Sequence, residues 1–151
     1  MSGIKICIDA NVFLNILNKE EKFYSSSNKL ICLLEKGIIF VIIPSIVLSE
    51  ILTGFYIVGN DDGAEEFLSL LLDNNNIKIV PLSVNIAVEA AIIRSKTKLK
   101  LPDSMVIATA IEENAEYLIS NDSNFPESDK KIKIYDSINF LKLLKDFNHI
   151  N

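Results

Sequence analysis

Short apolar segments alternate with longer, helix-like segments along this chain, and the alternation limits the folds open to it. The strand-sized apolar segments are residues 4–8, 39–43, 77–80, 117–119 and 132–135. Strands that alternate with helices typically form a parallel sheet with helices packed against it. The sequence therefore predicts one α/β domain over residues 1–151, with a mostly parallel central β-sheet flanked by helices.

Polar residues, prolines and glycines at the ends of the longer segments predict where the helices begin and end. Ser45, Ser83 and Asp136 have the side chains of N-caps, and Gly37 is typical of a helix end. The sequence Asn-Asp-Asp-Gly at 60–63 predicts a turn. The predicted helices are residues 12–18, 25–36, 45–56, 64–72, 83–96, 102–111 and 136–147.

Composition is typical of a folded protein with a buried core. Hydrophobic residues make up 49% of the 151 residues, yet no apolar run approaches the roughly 18 residues of a membrane span. Cys7 and Cys32 are flanked by apolar residues, which predicts small buried thiols. No secretory signal is visible. With two free cysteines, we expect a cytoplasmic protein and no membrane association.

The charge balance argues against a simple nucleic-acid-binding protein. Fifteen basic and 20 acidic side chains give a formal charge of −5, whereas such proteins are usually basic. An enzyme whose carboxylates hold metal ions is compatible with this balance. A local basic stretch does occur before Asp103, and its members are Arg94, Lys96, Lys98 and Lys100. These four residues either contact phosphates or form the solvated end of a helix.

Four acidic residues stand near the ends of predicted strands. Asp9 directly follows the first strand, and Asp122 follows the strand at 117–119. Glu50 lies in the helix after the second strand, and Asp103 begins another helix. The carboxyl ends of parallel strands line one crevice, so these acids can converge in space. Carboxylates without His or Cys partners favour Mg²⁺ or Mn²⁺ over zinc.

Each acid also has a purely structural explanation. Asp9 and Asp103 are suitable helix caps, which contribute about 1 kcal/mol each. Asp122 is suitable for an Asx-turn in a loop. Glu50 lies away from the apolar stripe of its predicted helix, as a solvated side chain would. Taken one at a time, the acids do not decide between these explanations and a functional site.

The surroundings of the four acids resemble the four motifs of the PIN-domain family, and more narrowly those of VapC-type toxin ribonucleases. The matching segments cover nearly the whole chain in the family's order. They are Ile-Asp-Ala-Asn-Val-Phe-Leu at 8–14, Pro-Ser-Ile-Val-Leu-Ser-Glu-Ile at 44–51, Lys-Leu-Pro-Asp-Ser-Met-Val-Ile-Ala-Thr-Ala at 100–110 and Leu-Ile-Ser-Asn-Asp-Ser-Asn-Phe at 118–125. Asn124 departs from the pattern, because many relatives carry another acid there, and this leaves Asp122 as the only carboxylate of the fourth motif.

This resemblance implies a Mg²⁺- or Mn²⁺-dependent endoribonuclease that hydrolyses RNA phosphodiesters. Asp9 and Asp103 would be the principal metal ligands, and Glu50 would complete the cluster or orient the attacking water. Asp122 would hold a second metal or act through a bound water.

Further residues and partners follow from the same resemblance. Asn11 and Ser120 would orient the carboxylates by hydrogen bonds. The implied partners are an RNA substrate, a small VapB-like antitoxin and a second copy of the chain. Apolar residues of the helices at 46–56 and 64–72 would suit contacts with such a copy.

Three other functions stay open at the level of sequence. The first motif slightly resembles haloacid dehalogenase-like phosphatases, but these need a second aspartate where this chain has Asn11. A PIN-like domain that serves as a catalytically silent binding or scaffold module is a second possibility. A nuclease that processes RNA, or cuts DNA, outside toxin–antitoxin pairs is a third. His149 is expected to be a surface residue without a catalytic role.

Overall fold

The computed structural model of the protein describes residues 3–126, 128–129 and 131–147, and His149 lies outside them. Among these residues the strands are β1 (Ile4–Ile8), β2 (Ile39–Pro44), β3 (Ile77–Val80), β4 (Tyr117–Ile119), β5 (Ser128–Asp129) and β6 (Ile132–Tyr135). The helices are α1 (Ala10–Leu17), α2 (Tyr24–Glu35), α3 (Ser45–Ile57), α4 (Asp61–Asp73), α5 (Val84–Lys96), α6 (Leu101–Glu112) and α7 (Ser137–Asp146). The predicted α/β fold with a mostly parallel sheet is confirmed.

The strands form one sheet in the order β3-β2-β1-β4-β6-β5. The first five strands in this order are parallel, and β5 runs antiparallel to β6. The chain builds outward from β1 through β2 to β3, and then returns to place β4 on the other side of β1. Ligands of open parallel sheets bind in the crevice at such a switch point, here at the carboxyl ends of β1 and β4.

The core forms on both faces of the sheet. All six residues of β2 are buried, and successive side chains of a strand point to opposite faces. Strand β2 is therefore covered on both faces, as its continuous apolar run predicts. Helix α6 buries the run from Val106 to Ala110 and packs against β1, β2 and β4. This packing brings the start of α6 close to the carboxyl ends of the strands.

Local signals at the helix ends were read correctly in three places. The Ser83 hydroxyl accepts a hydrogen bond from the backbone N–H of Ile86 at 3.1 Å, as expected of the N-cap of α5. Asp136 caps α7 in the same way through the N–H of Asn139 at 2.7 Å. Gly37 follows α2 with a φ of 71°, which a residue with a side chain rarely adopts.

Three predictions about single segments were wrong. Ser45 is the first residue of α3, and the preceding Pro44 occupies the cap position without a side-chain hydrogen bond. The predicted turn at 60–63 is the start of α4, because Asn60 accepts a hydrogen bond from the N–H of Gly63 at 3.0 Å and caps the helix. Cys32 is exposed on α2, whereas Cys7 is fully buried in β1 as expected.

The loop predicted after β4 ends in β5, a strand of two residues that the sequence pattern did not indicate. Such a short strand has no hydrophobic alternation, and its pairing with β6 alone defines it. None of the helices in the described part of the chain is long and apolar enough to cross a membrane.

Candidate functional site

Asp9 lies at the switch point of the sheet and is held there by a dense set of hydrogen bonds. Its backbone N–H donates to the carbonyl of Ile119 at 3.0 Å, which ties the end of β1 to the end of β4. Its side chain is 5% exposed and forms the N-cap of α1, where Oδ1 accepts from the N–H of Ala10 at 2.8 Å. The cap explanation for Asp9 is thus correct, and the cap also fixes the direction of the carboxylate.

Asn11 and Ser120 hold the second oxygen of this carboxylate. Asp9 Oδ2 accepts from Ser120 Oγ at 2.9 Å and from Asn11 Nδ2 at 3.0 Å. A carboxylate has about four lone-pair positions, so the three hydrogen bonds leave about one free, on Oδ1. Asp9 therefore presents a single acceptor position in a defined direction.

The other three acids come from separate elements and differ in exposure. Glu50 projects from α3 and is exposed, whereas Asp103 in the first turn of α6 is partly buried. Asp122 follows β4, is partly buried, and accepts a hydrogen bond on Oδ1 from the N–H of Asn124 at 2.9 Å. This bond is the Asx-turn that the sequence suggested as an alternative. Asp103 is no cap, because Lys100 occupies the cap position of α6.

Electrostatic coupling shows that the four acids converge. Burial raises the pKa of Glu50, and the charges of Asp9 and Asp103 raise it further. Burial also raises the pKa of Asp103, with a further contribution from Asp122, while Lys100 lowers it. The structure therefore brings together all four acids that the sequence singled out, and we refer to Asp9, Glu50, Asp103 and Asp122 as the acidic cluster.

The donor chemistry of the acidic cluster fits a hard divalent cation such as Mg²⁺ or Mn²⁺. Within the described ranges, no three His, Cys, Asp or Glu side chains already stand in positions to hold one ion. Glu50 and Asp103 form no side-chain hydrogen bond to any described residue, so no such bond holds either carboxylate away from a cation near Asp9. A cation would also reverse the mutual repulsion that raises the pKa values in the cluster.

The basic stretch lies at the end of α5 and in the loop that follows. Arg94, Lys96, Lys98 and Lys100 are all exposed, and Lys100 is near enough to Asp103 to lower the pKa of its carboxyl. Contact of these four side chains with RNA stays a prediction.

Asn121 is a residue of the site region that sequence reasoning missed. Its Nδ2 donates to Asn15 Oδ1 at 2.8 Å and to Ser27 Oγ at 3.3 Å. Its Oδ1 accepts from the backbone N–H and the hydroxyl of Ser137, both at 2.9 Å. Its own backbone N–H donates to Asn11 Oδ1 at 2.9 Å. Asn121 therefore joins α1, α2 and α7 to the end of β4, between Ser120 and the acidic cluster's Asp122.

No local signal marks Asn121, because an asparagine in a loop is usually a turn residue. Its partners Asn15 and Ser27 are 106 and 94 positions away in sequence. Only its place between two residues of the fourth motif hinted at a role.

The pKa of Asp9 predicts how stability depends on pH without metal. Burial raises this pKa most, and Asp103 and Asp122 raise it further, against the hydrogen bonds from Ser120 and Ala10, from the ordinary 3.8 to about 6. Between these two pH values the native protein binds more protons than the unfolded chain, so stability falls as the pH rises. The contribution, about 3 kcal/mol, is present below about pH 4 and lost above about pH 6.

Urea unfolding in EDTA across this pH range, for the parent protein and for Asp9→Asn, measures the effect. The stability of the variant relative to the parent should increase as the pH rises from about 4 to about 7. A constant difference between the two proteins over that range would contradict the assignment.

Comparisons with known proteins agree with the fold described above. The family model for the PIN domain matches residues 6–131. A VapBC2 structure from Rickettsia felis, bound to a promoter DNA fragment, is similar at 20% identity, with a TM-score of 0.67 over 88% of this chain and 98% of that chain. VapBC-1 from nontypeable Haemophilus influenzae is similar at 14% identity, with a TM-score of 0.68 over 89% of this chain and 99% of that chain.

A third structure is described as a toxin that cleaves the sarcin–ricin loop. It is VapC20 from Mycobacterium tuberculosis, at 12% identity, with a TM-score of 0.63 over 79% of this chain and 91% of that chain. At such identities the likeness shows the fold alone. None of the curated proteins compared by sequence matches the chain significantly.

Proposed function

The chain belongs to the PIN domain family, and from that premise we propose that it is a metal-dependent endoribonuclease, the toxin of a VapBC-type toxin–antitoxin pair. One observation carries the proposal. Four carboxylates from four separate segments of the chain converge at the carboxyl edge of the sheet, beside the switch point between β1 and β4. The VapC20 toxin, whose fold this chain shares, is described as cleaving the sarcin–ricin loop.

Asp9 and Asp103 would hold the metal, with Glu50 or Asp122 completing its ligands. A bound Mg²⁺ or Mn²⁺ would lower the pKa of a water molecule and neutralise charge on the phosphoryl oxygens. Hydrogen bonds occupy three of the lone-pair positions of Asp9, which leaves the remaining one, on Oδ1, for a metal ion. Because Asp9 is already fixed, the site could bind a metal ion in one geometry without reordering this most buried carboxylate.

Glu50 would complete the ligands of the metal or, where Asp122 does so, orient the attacking water and accept its proton. The residue as a whole is exposed, but partial burial of its carboxyl group, together with the charges of Asp9 and Asp103, raises its pKa. A carboxylate with a raised pKa is a better proton acceptor near neutral pH. Asp122 is anchored by its turn and would act at the edge of the site, through a second metal or a bound water.

The proposed partners are an RNA substrate, a small antitoxin and a second copy of the chain. Several structures with this fold are toxin–antitoxin complexes, which supports the antitoxin. Exposed apolar side chains near the end of α3 and on α4 would suit a protein interface, and they include Tyr56, Ile57, Val58, Leu70 and Leu72. The cytoplasmic location expected from the sequence stays a prediction.

A catalytically silent binding module is the second candidate. One observation favours it, namely that among the described residues no three His, Cys, Asp or Glu side chains are already grouped closely enough to share one ion. The two candidates differ in what a metal should do, since the silent module needs none for its function.

Cleavage of a mixed RNA pool by the purified protein tests the proposal. We expect cleavage with Mg²⁺ or Mn²⁺, and we expect EDTA to abolish it because the carboxylates alone cannot activate water. Restoring the ion in excess over EDTA should restore the activity. If no RNA is cut with either ion, while the protein still binds RNA or a partner, the silent module becomes the better description.

A further inference from the structure

A groove of about 910 Å³ opens beside the acidic cluster, and apart from Ser120, Asn121 and Asp122 the residues that line it take no part in the chemistry described above. It lies along the carboxyl ends of β4 and β6, and Asp122 lines the end that adjoins the cluster. Helix α7 forms one wall, and the segment before α2 contributes Lys22 and Phe23. Other cavities described in the structure are smaller, with volumes of about 230 and 260 Å³.

Three lysines line this β4–β6 groove. Lys22, Lys133 and Lys142 are exposed, and none of them forms a salt bridge with any acid in the described part of the chain. By contrast, Lys78 is paired with Glu113 at 2.9 Å, away from the groove. The groove therefore carries three ammonium groups that are available to an anionic ligand.

Acids also line the groove, and their positions limit where an anion can lie. Asp122 belongs to the acidic cluster, and Asp136 is engaged as the cap of α7 by two hydrogen bonds from Asn139. Asp146 lies one helical turn beyond Lys142, at the far end of α7. An anion would avoid this far end and lie between the lysines and the acidic cluster.

Aromatic rings lie among these lysines. The ammonium of Lys22 is 4.9 Å from the ring centroid of Phe23, and the partly exposed ring of Tyr135 lines the same groove. Cations that follow a backbone, interleaved with rings on which bases stack, are the usual arrangement for binding single-stranded nucleic acid. An acidic peptide would use the lysines but would gain less from the two partly exposed rings.

We propose that the β4–β6 groove binds the single-stranded RNA segment on one side of the scissile phosphate. Lys133 and Lys142 contact its phosphates, and its bases stack on the rings of Phe23 and Tyr135. This inference rests on the proposed function, because it places the substrate of that same site. These substrate contacts adjoin Asp122. They are separate from the basic stretch that precedes Asp103 in the sequence.

Binding of a mixed-sequence, single-stranded RNA oligonucleotide tests the groove without relying on cleavage. Fluorescence anisotropy is measured in the Asp103→Asn protein, so that the RNA stays intact. Adding Lys133→Ala and Lys142→Ala should make the negative slope of log affinity against log salt shallower by about 1.4. This change corresponds to roughly 25-fold weaker binding at about 0.1 M salt. The matched control, Lys29→Ala with Lys36→Ala, removes the same charge from exposed positions on and just after α2.

The control pair should change the affinity and the salt slope far less, and Lys133→Arg with Lys142→Arg should preserve both. Equal effects of the groove pair and the control pair would overturn the proposal, as would unchanged RNA affinity combined with lost binding of an acidic peptide. Failure of the proposed function looks different. In that case no RNA is cut by the parent protein, while oligonucleotide binding still depends on Lys133 and Lys142.

Discussion

The Asp103→Asn variant is expected to fold normally and to cleave RNA at least about a hundredfold more slowly than the parent protein. Asparagine has the size of aspartate but lacks its negative charge, so it is a poor ligand for Mg²⁺ or Mn²⁺. Metal activation of water contributes several kcal/mol to catalysis, and each 1.36 kcal/mol is about tenfold in rate. Initial rates on a mixed RNA pool with Mn²⁺ give the comparison.

The fold of this variant should persist, because Asp103 makes no side-chain hydrogen bond to a described residue and is not the cap of α6. Without metal the variant should melt slightly higher than the parent, since it removes one of the charges that raise the pKa values of Asp9 and Glu50. Melting curves in EDTA measure this difference.

Asp62→Asn is the matched control for Asp103→Asn. Asp62 also lies in the first turn of a helix, α4, so both substitutions remove the same favourable interaction with a helix dipole. Asp62 is exposed and is not part of the acidic cluster. The control should cleave RNA at the parent rate. Parent-like cleavage by a folded Asp103→Asn protein would refute the metal-site mechanism.

The Asn121→Ala variant is expected to lose about 3 kcal/mol of unfolding free energy. The substitution removes four side-chain hydrogen bonds at once, and it leaves the polar atoms of Ser27 and Ser137, both fully buried residues, without these partners. An unsatisfied buried polar group costs about 1–3 kcal/mol, whereas an ordinary hydrogen bond contributes about 1 kcal/mol. Urea unfolding at one pH, in EDTA, measures the loss.

Asn124→Ala provides the control for Asn121→Ala. Asn124 is exposed three positions further along, and its bond to Asp122 comes from the backbone N–H, which alanine retains. Its free energy of unfolding should change by no more than about 0.5 kcal/mol. Similar losses in the two variants would show that the Asn121 hydrogen bonds contribute little of their own, because Asn124→Ala leaves those bonds in place.

Much of the fold follows from residues that are close together in the sequence. The apolar run of β2 is buried because a strand covered on both faces needs apolar side chains throughout. Ser83 and Asp136 cap their helices through N–H groups three residues away. The sequence also indicated which acids follow strands. These features depend on short-range periodicity and hydrogen bonding, which the order of residues specifies directly.

Other features depend on the tertiary structure. Asp9 was recognisable as an acid after a strand. The strand order β3-β2-β1-β4-β6, however, decides that β4 pairs with β1, which places Asp122 near Asp9. Asn11 and Ser120 meet across 109 positions, and Asn121 reaches Ser137 on α7. The β4–β6 groove likewise combines side chains from opposite ends of the chain.

By itself, the sequence determined the α/β class and most element positions, and it singled out the four acids. Only the tertiary structure decided that β1 and β4 are neighbours, which oxygen of Asp9 is free, and which lysines border the site. The physical reason is that strand order and long-range side-chain contacts result from packing the whole core at once. Neither leaves a periodic pattern among residues that are adjacent in the sequence.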